Sequence, residues 1–95
     1  MTDDAAAQRL TRRAPRRRLT LLVRAYCHLC DDMRAALMPL IAKRGIEVVE
    51  IDVDSDPQLE DRFGERVPVL LAGDVDGGVE LCHFTLDPQR VRDAL

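Results

Sequence analysis

The chain has no tryptophan, one tyrosine and two phenylalanines. An aromatic core is therefore excluded, and Leu, Val, Ile and Ala must fill whatever interior it builds. No stretch approaches the roughly eighteen apolar residues that a membrane helix needs, so no membrane partner is expected. The early arginines are followed only by LTLLV at 19–23 before Arg24 intervenes, which is shorter than the apolar segment of a secretory signal, about 7–15 residues. A mitochondrial-type leader would be Arg-rich but acid-poor, and Asp3 and Asp4 argue against one. Three cysteines are an odd number, unsuited to a stapled secreted scaffold, and point to a reducing, cytoplasmic setting. Ninety-five residues leave room for one domain, expected as a monomer, and a domain that small has a narrow stability margin.

Charge is divided unevenly. Residues 1–18 carry six arginines against two aspartates, while 19–95 carry eight basic and fifteen acidic residues. The chain's formal charge of −3 thus hides a basic arm on an acidic domain. The arm has almost no apolar periodicity and reads as a disordered extension. An acidic domain repels phosphates, so no nucleic-acid partner is expected.

Within 19–95 the apolar pattern changes period repeatedly. LTLLVRA opens with a run suited to a buried strand. Met33, Leu37, Leu40 and Ile41 then share one helical face, predicting a helix over 27–44. Asp31 and Asp32 lie in its first turns, Lys43 and Arg44 in its last, and Gly45 stops it. Pro39 inside this helix predicts a kink or a break. IEVVEID (46–52) reads as a second strand. Asp56-Pro57 is a cap followed by a first-turn proline, opening a short helix that ends near Gly64. VPVLL (67–71) and VELCHF (79–84), separated by AGDVDGG, read as a hairpin. Asp87-Pro88 repeats the capping signal before a terminal helix containing Val91. The order β-α-β-α-β-β-α predicts an α/β domain with a four-stranded mixed sheet flanked by helices. That is the thioredoxin-like arrangement, in which a Cys-x-x-Cys pair sits where the first strand hands over to the first helix.

Cys27 and Cys30 occupy that junction. Disulfide exchange needs a thiolate and a second thiol near enough to resolve the mixed disulfide. A helix N-terminus stabilises the thiolate, and three-residue spacing brings the second sulfur round to it. Cys27 is therefore the expected nucleophile and Cys30 the resolving thiol, with His28 and Leu29 tuning the pair. Covalent haem attachment would require histidine at 31, where Asp31 stands. A zinc site recruiting Cys82 or His83 is disfavoured because adjacent strand residues face opposite ways, so no metal ligand is assigned. An iron–sulfur carrier bridging two chains, and a redox-inert binding module, remain as alternatives. Cys82 reads either as a small hydrophobe in the last strand or as a third redox thiol.

TLLVRAYCHLCDDM, followed after an acidic strand by ERVPVLL, resembles the small bacterial glutaredoxin-like family of the thioredoxin superfamily. The resemblance covers roughly residues 19–95. It implies thiol–disulfide oxidoreductase activity with no bound cofactor, acting on protein disulfides or glutathione-type thiols, with glutathione as a co-substrate. It further implies a cis peptide before Pro68, with Val67 offering backbone groups to a bound thiol. Arg24 matches in position a basic residue that glutaredoxins use near the glutathione carboxylate, and Tyr26 would pack beside the site. Two departures stand out. His28-Leu29 replaces the Pro-Tyr type of pair, and Leu81-Cys82-His83-Phe84 stands where such proteins carry Gly-Gly followed by Asp.

Overall fold

The structure, a computed structural model, describes residues 18–95. The basic arm expected over 1–18 lies outside the described residues, except for Arg18. Arg18 belongs to the domain: it opens the first strand, and its guanidinium binds Glu47 at 3.0 Å and Asp74 at 2.9 Å.

Strand β1 (Arg18–Val23) is buried on both faces from Leu19 to Leu22, which is why its apolar residues run without alternation. It lies between β2 (Glu47–Asp52), which pairs with it in parallel, and β3 (Val69–Ala72), which pairs antiparallel. β4 (Val79–His83) pairs antiparallel with β3 through a bulge between Leu70 and Leu71. The sheet order is β2-β1-β3-β4. Thr20, the one buried polar side chain among the described residues, donates to the Gly73 carbonyl at 2.6 Å. Its hydroxyl is thereby satisfied.

The two faces of β1 feed two clusters. Leu19 and Leu21 join Met33 and Leu37 of helix α1 (His28–Ile41) and Val91 of helix α3 (Pro88–Ala94). Leu22 joins Val53, Val69, Leu71, and Leu59 and Phe63 of helix α2 (Pro57–Phe63). The helices thus flank a four-stranded mixed sheet, in the order β-α-β-α-β-β-α that the apolar pattern predicts.

Several boundaries differ from expectation. α1 runs through Pro39 without a break but stops at Ile41, so Lys43 and Arg44 lie beyond its last turn. The apolar face ends at Leu40 and Ile41, so further turns would bury nothing, and Pro39 has already removed one backbone donor. Lys43 at φ 63° and Gly45 at φ 67° then turn the chain towards β2. β3 begins at Val69 rather than 67, because Pro68 offers no N–H to a ladder. β4 ends at His83, and Phe84 at φ 65° leaves the sheet. Short 3₁₀ turns at Val53–Ser55 and Gly64–Arg66 flank α2.

Candidate dithiol site

Register assembles the site. Val23 pairs with Asp52, Leu22 with Val69, and Val69 with His83. One end of the sheet therefore carries the exits of β1, β2 and β4 and the entrance to β3. The β1–α1 loop, the Val67-Pro68 segment and Phe84 all lie at that end.

Beyond Val23 the chain turns through Tyr26, which has a left-handed φ of 58°, and reaches Cys27 in extended conformation as the N-cap of α1. The Cys30 N–H donates to Cys27 Sγ at 3.1 Å, and the Asp31 N–H donates to the Cys27 carbonyl at 3.2 Å. The sulfur thus takes the place of the usual capping oxygen. Cys27 and Cys30 are joined as a disulfide with Cα atoms 5.2 Å apart. Their environments differ: Cys27 is half-buried, whereas Cys30 is 1% exposed. His28 and Leu29 lie on the exposed side of the first turn.

The Val67–Pro68 peptide is cis. Pro68 is fully buried and Val67 half-buried. The Pro68 carbonyl accepts the Phe84 N–H at 3.0 Å, which ties the end of β4 to this segment. Phe84 is 44% exposed and stacks edge-on against His83 with centroids 4.8 Å apart.

The sequence of residues 18–95 matches the family described as "Glutaredoxin-like domain (DUF836)". The chain belongs to this glutaredoxin-like family. Protein Ne2328 from Nitrosomonas europaea, solved by NMR, is 35% identical, with 90% of this chain and 99% of that one aligned at a TM-score of 0.73. Protein XcR50 from X. campestris is 37% identical over 79% of this chain and 91% of its own, at a TM-score of 0.60. Oxidised mitochondrial thioredoxin 3 from Saccharomyces cerevisiae superposes at 0.59 over 81% of this chain and 74% of its own. At 19% identity that likeness shows the thioredoxin-like fold alone. Comparison with curated proteins gives no match.

Not every expected residue of the glutaredoxin-like domain stands as its position suggests. Tyr26, expected to pack beside the site, is fully exposed. The Arg24 guanidinium, expected to face a substrate carboxylate, is engaged by the chain itself: Nη2 donates to Glu60 Oε2 and Nε stands 3.4 Å from Asp54 Oδ2. Nothing in local pattern signals these partners, which come from segments 30 and 36 residues away.

Cys82 sits half-buried in β4 opposite Leu70. Burial pushes its thiol pKa up, partly offset by the Asp87 backbone N–H. The thiol borders an open cleft of about 580 Å³ between β4 and α3 that neither cysteine of the pair lines. His83 Nδ1 lies 2.9 Å from Glu80 Oε2. Among the described residues, no group of three or more His, Cys, Asp or Glu side chains is placed to hold a metal, and no helix is long and apolar enough to cross a membrane.

Proposed function

We propose that this glutaredoxin-like domain is a thiol–disulfide oxidoreductase working through Cys27 and Cys30. The observation that carries the reading is the asymmetry of the pair. Cys27 reaches solvent at the N-terminus of a fourteen-residue helix, and Cys30 lies buried directly behind it. A nucleophile must be accessible, and a resolving thiol must be close but sheltered from outside disulfides.

In the reduced protein, the Cys30 N–H and the α1 N-terminus favour the Cys27 thiolate. The thiolate attacks one sulfur of a substrate disulfide. A bond forms from Cys27 Sγ to that sulfur, the substrate S–S bond breaks, and the departing thiolate takes a proton from water. Cys30 then loses its proton and attacks Cys27 Sγ, which closes the internal disulfide and releases the second substrate thiol. The substrate gains two electrons and the dithiol loses two. An external thiol reductant, with glutathione as a candidate co-substrate, must restore the pair; no bound cofactor is needed.

Val67 offers backbone groups at the same end of the sheet to an extended partner, in the manner of strand addition, and Pro68 holds that segment. His28 and Leu29 tune the pair. The exposed apolar side chains of Tyr26, Leu29 and Phe84 at this end of the sheet suit protein disulfides as substrates. A monomer in a reducing, cytoplasmic compartment completes the reading.

The test is a single turnover. Pre-reduced, desalted protein is mixed with bis(hydroxyethyl) disulfide or insulin, quenched with an alkylating reagent and mass-mapped. Wild type should accumulate the 27–30 disulfide, and Cys27→Ser should not react. Cys30→Ser should stop at a mixed disulfide on Cys27. Wild-type protein that leaves Cys27 reduced would instead indicate a redox-inert docking module.

A further inference from the structure

We infer that the dithiol site selects by charge, favouring neutral or cationic disulfides over anionic ones, with Glu60 and Asp54 setting the preference by neutralising Arg24. This rests on the exchange reading above and names the substrate class of that site.

Arg24 leaves β1 three residues before Cys27, so it is the nearest arginine in sequence to the nucleophile. Its guanidinium is already paired with carboxylates of the chain. Asp54, from the turn after β2, stands 3.4 Å from Nε, and that nitrogen is buried with no hydrogen bond. Glu60, from α2, accepts from Nη2. Two separate segments converge on one guanidinium.

The backbone makes room for this arrangement. Gly64, one turn after Glu60, is itself buried, and a Cβ there would run into the Glu60 carboxylate. Glycine at that position lets the carboxylate fold back over the end of α2.

The neighbouring arginines repeat the pattern. Arg34, on α1, binds Asp31 at 2.8 Å and Glu50 at 2.7 Å. Arg66, just before Val67, binds Glu80 at 3.0 Å. Each of these three arginines therefore already holds a carboxylate of the chain, and two of them hold a pair. Asp32 of α1, Asp52 at the end of β2 and Asp56 after it add further negative charge around the dithiol's end of the sheet. An approaching anionic disulfide meets a negative potential with its natural counter-charge masked, and a cationic one is drawn in.

The experiment compares three disulfides in the single-turnover assay: doubly positive cystamine, uncharged bis(hydroxyethyl) disulfide and doubly negative glutathione disulfide. Each rate is divided by that of mercaptoethanol with the same disulfide, which removes differences in intrinsic reactivity. At low ionic strength the corrected cystamine rate should exceed that of glutathione disulfide by about tenfold, and the ratio should shrink in high salt as the charges are screened. Glu60→Gln should narrow the low-salt ratio by about threefold. Glu47→Gln removes the same charge beside Arg18 at the far end of the sheet and should leave the ratio unchanged. The inference is overturned if glutathione disulfide reacts fastest, if salt does not alter the ratio, or if Glu47→Gln narrows it as much as Glu60→Gln. Equal corrected rates for all three disulfides overturn the charge preference while leaving exchange intact. If no disulfide oxidises the protein, the exchange reading itself has failed.

Discussion

At the scale of single residues, burial separates two sulfurs that lie within one helical turn. Cys27 shares its surface between protein and solvent, whereas Cys30 is enclosed. Cys82 is a third case. Burial raises its pKa above the ordinary thiol value of 9.0, so the folded state disfavours its thiolate. In pre-reduced protein at pH 8, peptide-resolved alkylation should therefore label Cys82 more slowly than a free thiol and more slowly than Cys27. The sign for stability follows from the same shift. A thiol whose pKa is raised on folding contributes fully below its unfolded value, and the contribution is lost as pH rises through the folded one. Cys82→Ala should flatten whatever part of the alkaline stability loss above pH 9.0 belongs to this group, measured by urea unfolding across pH. Gly64→Ala tests the packing of Glu60. Its φ is −55°, which alanine adopts freely, and only the end of a flexible side chain stands in the way. The variant should stay within about 1 kcal/mol of wild type in stability, with Glu60 displaced from Arg24. The dithiol was legible because a Cys-x-x-Cys motif marks it, whereas the cis peptide before Pro68 was legible only through the family resemblance. The Arg24 pairs were not legible, because Asp54 and Glu60 reach it only through tertiary folding.

At the scale of elements, short side chains at helix starts were read most easily. Asp56 accepts the Gln58 N–H at 2.8 Å, and Asp87 accepts the Arg90 N–H at 3.2 Å, each with proline in the first turn. Such caps are recognisable because donor, acceptor and proline are sequence neighbours. Asp87→Ala and Asp56→Ala should each lower stability by about 1 kcal/mol, read as a shift in urea midpoint at unchanged slope. Helix ends were harder. Lys43 and Arg44 resemble a favourable last turn by charge, yet α1 stops at Ile41 because no apolar residue remains to be buried. The strand limits at Val69 and His83 likewise depend on what the backbone can pair with, and periodicity does not encode that.

At the scale of the whole molecule, the sheet divides two small, mainly aliphatic clusters, and β1 and β3 contribute to both. Leu21 and Leu70 are wholly buried in the cluster under α1 and α3. Truncating either to alanine should cost about 2–5 kcal/mol. Folded domains hold only about 5–15 kcal/mol in total, so Leu21→Ala should show a large fall in thermal midpoint or no cooperative transition at all. The fold class was legible because strand and helix periods alternate cleanly along the chain. The acidity of the site end was only half legible: composition reveals the excess of carboxylates, and the register of β1 with β2 shows where they gather.

The proposed exchange requires Cys27 and Cys30 to act as one reversible dithiol. The most direct measurement equilibrates the protein in thiol/disulfide buffers of graded potential, quenches with an alkylating reagent and reads each cysteine's mass by peptide. Cys27 and Cys30 should convert together, while Cys82 stays separate. The midpoint should lie within the span of redox catalysts, roughly −120 to −270 mV. A pair that never closes, or that stays protected until a chelator is added, would contradict that exchange.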